Sequence, residues 1–330
     1  MSQRPLQRWL SRLARPWAAG LMLGALALSA VAGPWPERPV RIVVPYPAGG
    51  LTDVVTRVMA EELGRQIGKP VVVENKSGAG GMIGLQAVLQ APRDGHTIAL
   101  VVPATMITLP LTSSSYKIKP LQDFEPITAA VDTFLTLVVS PSLGIRTLPD
   151  FIAYARRNEG KLNYGTPGAG TSFHLNNLLM ARKLGIRATH VPYQGEVQFL
   201  NDVASGVLQY ALVSSAGKTY IDNGRVVPLA MTAPARSSSL PNVPTFGEQG
   251  VDFTTDGWVG YALASGTPPE VVEQVSAALM KAIRSPAASK RLSDMGFIVV
   301  GNDRASFKAS ILRSTKTYEE LVTSGEVKVQ

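Results

Sequence analysis

Cysteine is absent from all 330 residues. Its absence excludes disulfides, thiolate metal sites, a cysteine nucleophile and any lipid anchor built on cysteine. Histidine is almost as scarce, with His96, His174 and His190 the whole supply. Their spacing fits no metal-ligand pattern. There is no G-x-S-x-G elbow, and the acidic residues are too scattered to nominate an acid/base pair. The sequence therefore offers no catalytic residue, no metal site and no cofactor motif. Charge is thin too, at 17% of the chain against 45% hydrophobic. That balance excludes disorder and coiled coil and suits a globular chain long enough for two domains.

The formal charge of +8 is misleading, because Arg4, Arg8, Arg12 and Arg15 are grouped at the start. They precede an uncharged Ala/Leu-rich run, Ala18 to Ala32, that ends in Ala30-Val31-Ala32. A basic opening, a short apolar stretch and an A-x-A site mark residues 1–32 as an export signal cleaved near Ala32. A retained anchor is the weaker reading: the apolar part falls short of the roughly 20 residues a spanning helix needs. Removal takes four positive charges and no negative ones, so +8 becomes +4. No basic cluster is interleaved with aromatics, and nucleic acid is not an expected partner.

From Val40 onward, β-rich runs alternate with helical periodicity, which predicts an α/β fold with largely parallel sheets. Strands are expected at 40–44, 71–74 and 97–102, with helices between them. The pattern restarts at Phe134 and continues to residue 231, followed by a Pro/Ser/Gly-rich connection. The first half has only about three strands and the tail has helices with little sheet of its own, so residues 257–330 are expected to complete the first domain. The expected division is residues 33–134 plus 257–330 against 135–256. Two extended segments, near 132–140 and 256–265, would cross between them, as a hinge-closing receptor requires.

Three glycine-rich loops follow strands: Pro47 to Asp53, Ser77 to Gly81 and Gly165 to Thr171. Small residues let the backbone approach a ligand there, and each following helix turns unpaired N–H groups and its positive end toward the loop. Such donors suit a carboxylate without any arginine. Asp53 is awkward beside an anion; it either stabilises its own helix start or orders water in the cleft. His174 either donates to a carboxylate or is structural. Tyr46, Phe134, Phe173 and Trp258 are candidates for an apolar cleft wall or for the core.

Read in order, Val44-Pro45-Tyr46-Pro47-Ala48-Gly49-Gly50-Leu51-Thr52-Asp53, Glu74 to Gly81, Leu162 to Gly168, His174-Leu175, His190-Val191-Pro192-Tyr193-Gln194-Gly195 and Leu240 to Thr245 resemble the Bug family. These are the periplasmic receptors of tripartite tricarboxylate transporters, and the resemblance covers essentially the whole exported chain. It implies a two-domain, Venus-flytrap periplasmic binding protein of type II-like form. Such a receptor is a monomer, holds a small mono- or dicarboxylate partly through water, and passes it to the membrane components of a transporter. On that basis Tyr46, Ala48, Gly49, Thr52 and Asp53 would form the first-domain contact. Thr166, Gly168, Gly170, Thr171 and His174 would form the second, with Thr105 and Ser214 as further candidates. Gln198-Phe199 stands where the family commonly has Pro-Ala, and Gln209 where Asp is usual; whether these departures change the second-domain lining and its specificity is left open by the sequence, so no particular ligand is transferred. A sensor for the same ligand, and a hydrolase or lyase acting on such acids, are the alternatives.

Overall fold

β-Branched runs too short and too apolar for surface helices pair into two sheets, and amphipathic helices cover them. The computed structural model describes residues 35–255 and 257–325. The expected export segment, residues 1–32, lies outside the described residues.

The first lobe runs through β1 (Val40–Val44), α1 (Leu51–Ile67), β2 (Val71–Asn75), α2 (Met82–Leu89) and β3 (Thr97–Val101). A π-helical segment, Ala104–Thr108, then leads into α3 (Leu109–Thr112), α4 (Pro120–Asp123) and β4 (Phe124–Asp132). The second lobe comprises β5 (Thr136–Val139), α5 (Leu148–Arg157), β6 (Leu162–Thr166), α6 (Ser172–Leu184), β7 (Ala188–Pro192), α7 (Glu196–Ser205), β8 (Tyr210–Val213), α8 (Lys218–Asp222) and β9 (Val227–Met231). The chain then returns to the first lobe with β10 (Val259–Ala264), α9 (Pro269–Ile283), α10 (Pro286–Asp294), β11 (Ile298–Val299) and α11 (Arg304–Thr323).

The six-stranded sheet has the order β11-β4-β10-β3-β1-β2, and the five-stranded sheet β7-β6-β8-β5-β9. The expectation of largely parallel sheets needs correction. β1 is parallel to β2 and β3, and β6 to β7 and β8, but β5 and β10 each run antiparallel to both neighbours. These are the two strands that enter their sheets from the opposite lobe. They do not arrive by a right-handed βαβ crossover, so nothing forces them parallel.

β4 is a second correction, since the described residues before the first crossover, 35–132, hold four strands where about three were expected. Pro126 lies within it, and proline in a strand interior removes a ladder hydrogen bond. The ladder to β10 slips between Tyr261 and Ala262, whose partners are Thr128 and Pro126. The proline is accommodated at that irregularity, where a hydrogen bond is already forfeited.

Each sheet is buried on both faces. Val55, Met59 and Leu63 of α1 pack with Val275 and Leu279 of α9 on one side of the six-stranded sheet; Leu85 of α2 and Phe307 and Ile311 of α11 pack on the other. At about 1.5–3 kcal/mol for each large apolar side chain fully removed from water, these layers are the main stabilising term.

Two crossovers meet at the hinge. Thr133 Oγ1 donates to Gly257 O (2.7 Å), and the Gly257 N–H donates to Asp132 Oδ1 (3.1 Å). A Cβ on Gly257 would collide with the Thr133 backbone, so the two segments can touch only because glycine is there. Beside them, the Leu135 N–H donates to Thr232 Oγ1 (2.9 Å). The lobes also meet away from the crossovers: Leu175 of α6 is buried in the first lobe's apolar cluster, and Tyr318 of α11 donates from its hydroxyl to Asn176 Oδ1 (2.8 Å) in a buried bond.

Candidate functional site

β1, β2 and β6 all release their glycine-rich loops at their carboxyl ends, where ligands of open α/β sheets bind. The lobes enclose a cavity of about 420 Å³ there. From the first lobe it is lined by Tyr46, Gly80, Ala104, Thr108, Leu109, Thr112 and Ser113; from the second, by Pro167, Ala169, Gly170, Thr171, Ser172 and Phe173. At one point the lobes nearly touch, since a Cβ built on Gly170 would lie 3.5 Å from the Thr112 Cβ. No acidic, basic or histidine side chain appears in this lining.

In the first-lobe loop, Ala48 and Gly49 are exposed, and Gly49 has φ +83°, a conformation glycine adopts without strain. Asp53 is 2% exposed and faces inward. Its Oδ2 accepts from the Gly49 N–H (2.8 Å) and from Arg57 Nε (2.8 Å), and its Oδ1 accepts from Asn75 Nδ2 (2.9 Å). The hydrogen bond from Arg57 leads in holding its carboxyl down to about 2, against the opposing pull of burial. Asp53 therefore shapes the loop from below and consumes the Gly49 donor. Thr52 contributes its backbone carbonyl to Thr56 Oγ1. The amides of Leu51, Thr52 and Asp53, in the first turn of the 17-residue α1, have no partner among the described residues.

The second-lobe loop is braced without charges. Thr171 caps α6, accepting from the His174 N–H and donating to Gly168 O (2.7 Å). Thr166 is fully buried; its hydroxyl accepts from the Gly168 N–H (3.2 Å) and meets His190 Nε2 at 2.6 Å. His174 is 7% exposed, and its Nδ1 accepts from the Gly170 N–H (3.1 Å), so that nitrogen carries no proton. The two imidazoles stack with centroids 4.0 Å apart. Burial pushes both histidines down, His190 to about 4 with the neighbouring His174 adding to the effect. His174 thus acts on the loop rather than on the cavity. The amides of Thr171, Ser172 and Phe173 have no partner among the described residues.

Of the expected site residues, Tyr46, Gly170 and Thr171 line the cavity; Ala48, Gly49, Thr52, Asp53, Thr166, Gly168 and His174 lie behind or beside it, and so do the two further candidates. Thr105 is fully buried, with its hydroxyl bonded to the Val102 backbone. The Ser214 N–H and hydroxyl are both taken by Glu196, at 2.6 and 2.7 Å. Phe134 and Trp258 belong to apolar clusters, whereas Tyr46 and Phe173 face the cavity. Burial raises the Tyr46 hydroxyl to about 12, so it stays neutral. Gln198, Phe199 and Gln209, the departures from the family pattern, do not line the cavity. Gln198 Oε1 accepts from the Gln194 N–H, Phe199 is fully buried, and Gln209 Oε1 accepts from the Asn163 N–H. All three are engaged in holding the second lobe together.

The wall from Ala104 to Ser113 escapes the sequence reading apart from Thr105. Its signal is the four-residue spacing of Ala104, Thr108 and Thr112, which places them on one helical face. Pro103 and Pro110 mask that spacing, because both read as helix breakers.

A family model described as the tripartite tricarboxylate transporter family receptor matches residues 55–323. A UPF0065 protein from the gbd 5' region of Cupriavidus necator is 33% identical over 305 residues, covering 92% of this chain and 93% of that protein. A solved R. palustris protein with adipate superposes with a TM-score of 0.72 at 29% identity, covering 89% of this chain and 99% of its own. MatC from Rhodopseudomonas palustris, with bound malate, gives 0.68 at 27%, covering 87% and 100%.

Proposed function

The chain belongs to the tripartite tricarboxylate transporter receptor family and is a two-domain periplasmic solute receptor of type II-like fold, and from that premise we propose that it captures a small carboxylate between its lobes by backbone amides and ordered water. The observation that carries this reading is the set of unpaired amides at Thr171, Ser172 and Phe173, at the positive end of a 13-residue helix that opens onto the cavity. Tyr46 and the first-turn amides of α1 supply the facing side, the latter through water. Two similar structures, one with adipate and one with bound malate, support the same ligand class.

Ligand contacts made by both lobes favour the closed form, and the ligand shifts the equilibrium by its preference for that form. The receptor works as a monomer, is cleaved near Ala32 and hands its cargo to the membrane components of a transporter. A hydrolase reading lacks support, because the cavity lining holds no nucleophile and base within reach of one another.

A thermal-shift panel of mono-, di- and tricarboxylates, amino acids and uncharged esters on the exported chain tests this. A carboxylate at a hundred times its dissociation constant should add about 2.7 kcal/mol of stability. Ester turnover without stabilisation by any acid would replace the receptor with an enzyme.

A further inference from the structure

Resting on the carboxylate-receptor reading above, we propose that Leu109 sets the length of acid the cavity accepts, and that Tyr116, outside the lining, is the positioning residue that holds Leu109 there. Leu109 lines the first-lobe wall and lies over the loop that follows β2: a Cβ built on Gly80 would come within 2.7 Å of the Leu109 Cδ1. Ala104, Thr108, Thr112 and Ser113 beside it are small, so Leu109 and Tyr46 are the side chains whose bulk limits the ligand on this wall.

Leu109 reaches that wall through the π-helical segment. It is the first residue of α3, and its N–H donates to Ala104 O, five residues back, where an α-helix would pair it with Thr105 O. In an α-ladder Leu109 would stand about 140° around the axis from Ala104. The wider π turn brings the two to one side, and both face the cavity. That register assigns Thr105 O to the N–H of residue 110, which is proline and has none. The Tyr116 hydroxyl supplies the missing donor, reaching Thr105 O at 3.1 Å. Without it, the Leu109 N–H is the replacement an α-ladder supplies. Moving that N–H to Thr105 O tightens the turn and swings Leu109 away from the wall.

Titration calorimetry on the exported chain with butyrate, hexanoate and octanoate, and with succinate, adipate and suberate, reads the length preference within whichever series binds. Leu109→Ala should raise the affinity ratio of the longest to the shortest acid about tenfold, the least that one methylene is worth in a fitted apolar pocket. Tyr116→Phe should shift the ratio the same way, and should add nothing on the Leu109→Ala background, because its effect passes through that side chain. An unchanged ratio in Leu109→Ala would overturn the inference while leaving the receptor reading intact. An unchanged ratio in Tyr116→Phe, even with affinity lowered at every length, or a full further shift on the Leu109→Ala background, would overturn the positioning role. Failure of every acid to bind the unsubstituted chain would overturn the receptor reading and this inference with it.

Discussion

The loops that face each other across the cleft are built alike and braced differently. Beneath the first, a buried carboxylate gathers Gly49, Asn75 and Arg57 around itself. Beneath the second, hydroxyls and two stacked neutral imidazoles hold Gly168 and Gly170. A negative charge under an anion site would be costly on its own, and Arg57 offsets it across 2.8 Å. The second loop carries the free amides that line the cavity, and a neutral brace leaves their positive potential undiminished. The contrast teaches that such a loop can be preorganised by either chemistry, but the two respond differently to mutation and to acid.

Asp53→Ala should have the largest effect. It removes three hydrogen bonds to an ionised group, at an expected cost of about 3 kcal/mol in urea unfolding. A loss below half of that would mean the loop is held by its own backbone. Thr166→Val should cost less, about 1–2 kcal/mol, since the hydroxyl it removes is neutral, although Gly168 and His190 both lose a partner. Equal losses in the two variants would erase the distinction between charged and neutral bracing.

The pH response separates the two braces in another way. Folding holds His190 near 4 against an ordinary 6.5, so the unfolded chain takes up the proton first. Stability contributed by the neutral ring is complete above 6.5, declines as pH falls, and is gone near 4. Asp53 works in a lower window: its contribution is complete above 3.8 and disappears only as pH falls toward about 2. The melting temperature should therefore drop between pH 6.5 and 4, and His190→Gln should flatten that limb. An unchanged limb in the variant would remove His190 as its source.

Strand and helix periodicity made most elements legible, including the two segments that pass between lobes. What stayed hidden has physical causes. β4 was masked by Pro126, whose cost is absorbed by a ladder irregularity that only the partner strand creates. The cavity wall around Thr108 and Leu109 was masked by two prolines. Gly49 and Gly170 stood out as backbone positions, but nothing local says that Asp53 turns inward, or that His174 meets His190 sixteen residues on. Asp53 meets Asn75 because β1 and β2 lie side by side, and His174 meets His190 because β6 and β7 do, setting Tyr164 opposite His190.

The buried Tyr318–Asn176 bond sits one turn from the α6 amides that face the cavity. Asn176 also lies beside Thr254 and Thr255 at the second crossover, so if the lobes turn about the crossovers, α6 lies near the axle. Points near an axle travel least, so the amides of Thr171 to Phe173 would remain beside Thr112 through most of the stroke, while the distal rim sweeps the larger arc. On the carboxylate reading proposed above, that geometry would give the ligand's charged end a seat already assembled, and leave closure mainly to shut out bulk water.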